Sequence, residues 1–260
     1  MIRSLQTAAT GMEAQQANVD QIANDLANVN TDGFKRGRTE FHDLMYETTK
    51  EPGGKLGQAA ETPVGIQTGL GVKVGAAHQI FEQGSAKQTG NNLDVMIEGK
   101  GFFPVQRPNG EIAYTRVGAF HRDSTGKLVM SNGAMVLPQI TVPPNALSLA
   151  IMPNGQVKAS LPGNEQAELG QIQLVSFVNE NGLAAMGGGL YRATPGSGTP
   201  QSGIPGENGF GGLAQGALEA SNVDVASSMV NMIKAQRGYE LNAKVIDTAN
   251  KMLGVLTEKL

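Results

Sequence analysis

The chain has 260 residues, of which 40% are apolar and only 17% charged, with 35 glycines and a net charge of −3. It is long enough to bury a core, and its charged fraction is low against a usual ~25%, so its surface must rely on Gln, Asn, Ser and Thr. It has no basic block to displace counterions from nucleic acid, no apolar run of ~20 residues to span a bilayer, and no cysteine for disulfides or thiolate metal sites.

From the start of the chain, Ile2, Leu5, Ala9, Met12, Gln16, Val19, Ala23 and Leu26 step by three and four, the spacing of one helix face. The other positions are mostly Gln, Asn, Thr and Ala, fewer charges than an independently solvated helix would carry. The pattern stops at Asn30-Thr31-Asp32-Gly33, where Gly33 is expected to cap the helix. Met1 to Thr7 lack the apolar stretch of a cleaved secretory signal. If the protein leaves the cytoplasm, a route without one is expected.

The middle of the chain reads as strands. Leu93–Ile97, Ile112–Val117, Lys127–Met130, Leu147–Ile151, Gln156–Ser160 and Gln171–Val178 are separated by turn sequences. Those turns are Pro108-Asn109-Gly110, Asp123–Gly126, Ser131-Asn132-Gly133, Pro153-Asn154-Gly155 and Asn179–Gly182. An antiparallel β domain over 91–190 is expected. Gly- and Pro-rich stretches flank it at 51–75 and 194–212, and these predict extended connectors over 35–90 and 191–216.

The last segment repeats the first. Val225, Met229, Met232, Gln236, Tyr239, Ala243, Ile246, Asn250 and Leu253 alternate four and three, with Ile233 and Leu256 widening the stripe. One helix over ~222–258 is predicted, capped by Ser221 with Asp224 or by Asn222. Gly238 within it costs about 1 kcal/mol relative to Ala and suggests close packing at that turn. The fold class is thus α+β. Terminal helices over 1–34 and 217–260 pair as a coiled coil, because neither can hide its stripe alone. Further burial against sister molecules is expected.

Catalytic and ligand-binding patterns are weak. Gly69-Leu70-Gly71 and Gly99-Lys100-Gly101 open no helix, as a phosphate loop would. His42, His78 and His121 are scattered, with no ligand spacing. No Gly-x-Ser-x-Gly or Ser-x-x-Lys box is present. An enzyme, a cofactor and a metal are not expected. A cell-wall hydrolase with a helical anchor and a glycan-binding module are the remaining rivals from other classes. The second is poor, since the chain has no tryptophan to stack on sugars.

Ala23-Asn24-Asp25-Leu26-Ala27-Asn28-Val29-Asn30-Thr31-Asp32-Gly33-Phe34-Lys35-Arg36 resembles the N-terminal signature of the flagellar rod and hook axial proteins. Leu93–Ile97 leading into Gly99-Lys100-Gly101-Phe102-Phe103, then Tyr114–Phe120, resembles their central motif. Glu219–Asp224 and Met232–Lys244 resemble their C-terminal one. Within that family, the length and the segment 46–65 are most similar to the distal rod branch, with a hook or proximal rod subunit as the alternative. The resemblance implies a self-assembling helical filament, a rigid hollow shaft that transmits torque. It also implies contacts with other rod proteins, the hook protein, the surrounding ring proteins and the flagellar export apparatus, and a place in the basal body across the periplasm. The subunit interface would be carried by Leu5, Met12, Val19, Leu26, Met229, Ile233, Tyr239, Ile246, Leu253 and Leu256, joined by Phe34, Tyr46 and Pro52. No nucleic acid and no direct membrane insertion are expected.

Overall fold

The computed structural model describes residues 2–51, 64–163 and 166–258. It is α+β, with a helix near each end of the chain and antiparallel strands between. The residues fall into two units. One comprises Met1–Ala27, Gly37–His78 and Asp224–Leu260, and the other Asn28–Arg36 and Gln79–Val223.

The first unit holds helices α1 (Ile2–Ala27) and α2 (Val225–Glu258). Glycines mark their closest approach. A Cβ at Gly11 would stand 2.8 Å from Asn242 Nδ2, and one at Gly238 would stand 3.2 Å from Gln15 Cδ. Residue 11 meets 242 and residue 15 meets 238, so the helices run antiparallel. The buried positions Ala8, Ile22, Ala235 and Ala249 stand on the same rows, three, four and seven apart. The close packing expected at Gly238 is present. Apart from Ile22, the buried seam positions are alanines, so most contacts withdraw little apolar area from water.

The N-cap of α2 is Asp224 alone. Its carboxylate accepts from Ala226 N at 3.3 Å, from Ser227 N at 3.1 Å and from the Ser227 hydroxyl. Asn222 is used differently: its side chain accepts from Arg36 N at 2.7 Å and donates to Ile80 O and Glu82 O. The expected cap at Gly33 also changes place. Helix α1 ends at Ala27, and Gly33, at φ 72°, sits in a later turn where its amide donates to Glu219 O.

Two paired ribbons complete this unit. Strand β1 (Gly37–Asp43) pairs with β4 (Val72–Gln79), and β2 (Tyr46–Lys50) pairs with β3 (Ile66–Gly69). Tyr46 lies opposite Gly69 and Glu47 opposite Thr68. Leu44 N donates to Gly71 O and joins the two ribbons. The part of the predicted connector over 66–79 is therefore a hydrogen-bonded ribbon.

The second unit is all β apart from one 3-10 turn among the described residues. Its strands are β5 (Ala86–Gln88), β6 (Val95–Glu98), β7 (Phe103–Gln106), β8 (Ile112–Thr115), β9 (Phe120–Arg122), β10 (Leu128–Met130), β11 (Met135–Val136) and β12 (Ser148–Ile151). They continue as β13 (Gln156–Ser160), β14 (Gln166–Gln171), β15 (Leu174–Ser176), β16 (Ala184–Gly187), β17 (Leu190–Arg192), β18 (Gln201–Gly203), β19 (Gly212–Gln215) and β20 (Ala217–Glu219). The largest sheet runs β16-β17-β8-β7-β11-β10-β9, beside a β12-β13-β14 meander. Alternating apolar residues of these strands fill the core, with Ile97, Phe103, Val105, Phe120, Leu128, Val157 and Leu174 almost fully buried. Gly110 and Gly133 take φ of 84° and 78° in the turns after β7 and β10, as the Asn-Gly signals predict.

Two expectations need correction here. Asn179–Gly182 is not a hairpin turn; Glu180–Gly182 form the 3-10 turn. Pro104 lies on β7 between β8 and β11. Its carbonyl accepts from Leu137 N at 2.9 Å, and β11 ends at Val136, opposite Val105, so the one bond that Pro104 cannot return falls at the end of the ladder. The stretch 191–216, expected as a connector, holds β18 and β19, which pair with β15 and β6.

The second unit also buries a cluster of charge. Lys35 Nζ lies 2.6 Å from Glu219 Oε1 with neither side chain exposed, and it donates to Glu82 O at 2.6 Å. Gly84 N donates to the same carboxylate at 2.9 Å. Arg116 approaches Glu219 Oε2 at 3.6 Å, donates to Gly99 O, and stands 5.3 Å above the Phe102 ring. Burial pushes the Lys35 ammonium below its ordinary pKa, and the Glu219 carboxylate opposes that shift.

Candidate functional site

The apolar side chains of unit one that the helix seam leaves uncovered form its most distinctive surface. On α2, Val225, Met229 and Ile233 step by four along one flank, Met229 and Ile233 being 53% and 55% exposed. Leu241, Val245 and Met252 follow further along the helix, Leu241 at 65%. At 100° per residue the two sets lie on either side of the row that faces α1. The second set lines a shallow apolar groove of about 410 Å³ with Ser4, Lys244, Thr248 and Ala249. Helices of soluble proteins turn such rows inward; here they face water on both flanks of one element.

The ribbons add to this surface. Met45 is 82% exposed, and Phe41, Tyr46, Ile66 and Val74 are also exposed. The Tyr46 ring lies over Gly69, where an added Cβ would stand 3.4 Å from Cε1. Arg3 of α1 reaches the Glu47 carboxylate of β2 at 2.7 Å, both half-exposed. A surface pair of this kind contributes about 1 kcal/mol or less. Isolated two-stranded ribbons are marginal in water.

The candidate interface residues divide by exposure. Met229, Ile233, Tyr239 and Tyr46 are exposed. Leu5, Met12, Val19, Leu26, Ile246 and Leu253 are half-buried, as is Phe34, which lies in the second unit. Pro52 and the Leu256 side chain lie outside the described residues. On α1 the close-packed positions Ala8, Gly11, Gln15 and Ile22 lie about 60° around the helix from Leu5, Met12, Val19 and Leu26, which flank them half-buried. Hydrophobic periodicity marked the flanking row, and Gly238 marked the close approach.

Among the described residues no cluster of His, Asp or Glu has the geometry to hold a metal ion, and no helix is long and apolar enough to cross a membrane. Asp224 and Asp123 have pKa values below the ordinary carboxylate range because neighbouring hydroxyls and amides donate to them, at the helix cap and in the Asp123–Gly126 turn respectively. These are structural roles.

A chain whose terminal helices leave this much apolar side chain uncovered is a building block. Comparison with known proteins gives the class. Residues 5–35 match the family described as flagella basal body rod protein, 96–159 the flagellar hook protein FlgE/F/G D1 domain, and 214–258 the flagellar basal body rod FlgEFG protein C-terminal region. The flagellar basal-body rod protein FlgG of Borreliella burgdorferi is 48% identical over 98% of this chain and 97% of its own. That of Buchnera aphidicola subsp. Schizaphis graminum is 45% identical over 99% of this chain and all of its own. The crystal structure of the Helicobacter pylori flagellar hook protein FlgE2 overlaps 62% of this chain at 13% identity with a TM-score of 0.24, too loose to bear on the fold. The chain belongs to the FlgG family of flagellar basal-body rod proteins, structural components of the motility apparatus that are not enzymes. The hydrolase and glycan-binding alternatives find no support in these relatives.

Proposed function

We propose that this chain polymerises into the distal part of the flagellar rod, a straight, hollow helical shaft that crosses the periplasm and transmits torque. Support comes from the exposed apolar rows on both flanks of α2. A fully buried Met, Leu or Ile side chain contributes about 1.5–3 kcal/mol, and Met229, Ile233 and Leu241 remain about half exposed in the single chain. A sister molecule is the natural cover, and a heterologous contact that does not close on itself gives an open filament. The antiparallel α1–α2 pair is the coiled-coil unit of that packing. Leu5, Met12, Val19, Leu26, Met229, Ile233, Tyr239, Ile246, Leu253 and Leu256 carry it, and Phe34 and Pro52 join the subunit contacts.

Tyr46 and the segment 46–65 fasten neighbouring subunits and hold the shaft straight. In this division of labour the helices and ribbons form the inner assembly part, 91–190 is the outer β domain, and the Gly- and Pro-rich stretches bridge subunits. Other rod proteins and the hook protein continue the shaft, ring proteins surround it, and the chain leaves the cytoplasm through the flagellar export apparatus without a cleaved signal. Electron microscopy of the purified protein at high concentration tests the reading. Straight tubes are expected, and deletion of 46–65 should bend or abolish them. A protein that stays monomeric under those conditions, or whose tubes are unchanged by the deletion, refutes it.

A further inference from the structure

Helices α1 and α2 meet although about 200 residues of chain separate the end of one from the start of the other. Closing so long a loop is entropically unfavourable, and the free chain must do it before its helix seam can form. The second unit contains a feature that shortens the loop. Lys35 and Glu219, 184 positions apart in sequence, are locked together at 2.6 Å with no exposure. A short ladder runs beside them. Gly33 N donates to Glu219 O at 2.7 Å, Asn222 N to Phe34 O at 3.4 Å, and Arg36 N to the Asn222 side chain at 2.7 Å. The segment leaving α1 and the segment leading to α2 are thereby tied inside one unit.

We infer that the Lys35–Glu219 pair is a loop-closing clasp that holds the roots of the two terminal helices together in the free chain. With the clasp closed, the tether between α1 and α2 shrinks from about 200 residues to about a dozen. For a flexible chain the effective concentration of one end at the other scales as the inverse three-halves power of loop length, so the gain is about 50-fold. A buried ion pair suits this task. Removing Glu219 leaves the buried Lys35 and Arg116 cations uncompensated in the core and forces the site open, whereas apolar residues at all three positions let it stay closed. Helix pairing thus becomes conditional on a folded second unit.

The chain has no cysteine, so an introduced pair reports on the seam without interference. Gly11→Cys with Asn242→Cys, at the closest approach of the helices, is followed for its rate of disulfide formation in the full-length chain at high dilution. Glu219→Gln should slow trapping by about 50-fold, and Lys35→Met, Arg116→Met and Glu219→Met together should restore it to within a few-fold of the parent. Near-ultraviolet dichroism of the buried Tyr114 and Tyr191 monitors the second unit. Trapping at the parent rate in Glu219→Gln overturns the proposal. So does failure of the triple variant to recover while that dichroism is intact. The measurement concerns the free chain, so its failure is distinguishable from a failure to polymerise.

Discussion

At Asp224 a single side chain decides where a long helix begins. Its carboxylate takes two backbone amides and the Ser227 hydroxyl, and these donors hold its pKa below the ordinary carboxylate value. A group whose folded-state pKa is depressed stabilises the fold above its unfolded pKa and loses that contribution as pH falls through the folded one. The first turn of α2 should therefore fray below about pH 4, and Asp224→Ala should abolish that pH dependence. Amide exchange at Ser227 and Ser228 measures both. Gly238 offers the opposite experiment. Ala there gains about 1 kcal/mol of helix propensity, and the neighbour it meets is the end of the flexible Gln15 side chain. Gly238→Ala should raise the helix content of the free chain, read by far-ultraviolet dichroism. At this scale the sequence was partly legible. It marked a cap within a few residues but could not choose among Ser221, Asn222 and Asp224. Tertiary bonds from Asn222 to Arg36, Ile80 and Glu82 made the choice.

Among elements, α2 carries the clearest division of labour. One face is small and meets α1; the flanks are large, apolar and open. Met229→Asp with Ile233→Asp should leave the thermal unfolding of the free chain within about 0.5 kcal/mol of the parent, the usual range for surface changes. The same change should prevent polymerisation, scored by sedimentation at high concentration. Both helices and six of the twenty described strands were legible because period and turn chemistry are local signals. The seam was not, since glycine and alanine rows barely register in hydrophobic periodicity. The ribbon at 66–79 was missed for a related reason: the Gly-rich flanks of β3 and β4 read as a connector, and their pairing with β2 and β1 is set by partners far along the chain.

For the whole molecule, the contrast between the two units predicts how the free chain comes apart. The β unit owns the large buried core, whereas the helical unit rests on a small-residue seam and marginal ribbons. Limited proteolysis should trim both terminal segments first and leave a resistant core of Asn28–Arg36 with Gln79–Val223. Equal resistance of the termini would mean that the seam suffices without neighbours. The alternation of strands and Asn-Gly turns made the β unit legible. The Lys35–Glu219 clasp was invisible, because nothing local in sequence links residues 184 positions apart.

The four tyrosines divide evenly between these settings. Tyr114 and Tyr191 are 7% and 3% exposed inside the aromatic cluster around Phe102 and Phe177, and burial pushes the Tyr191 phenol up to about 12. Tyr46 and Tyr239 stand open at 55% and 43%. With no tryptophan to mask them, the phenol bands form two intrinsic optical channels. One reports whether the β unit is intact, and the other changes colour only when a neighbour arrives, so shaft growth could be followed in a cuvette without attaching a dye.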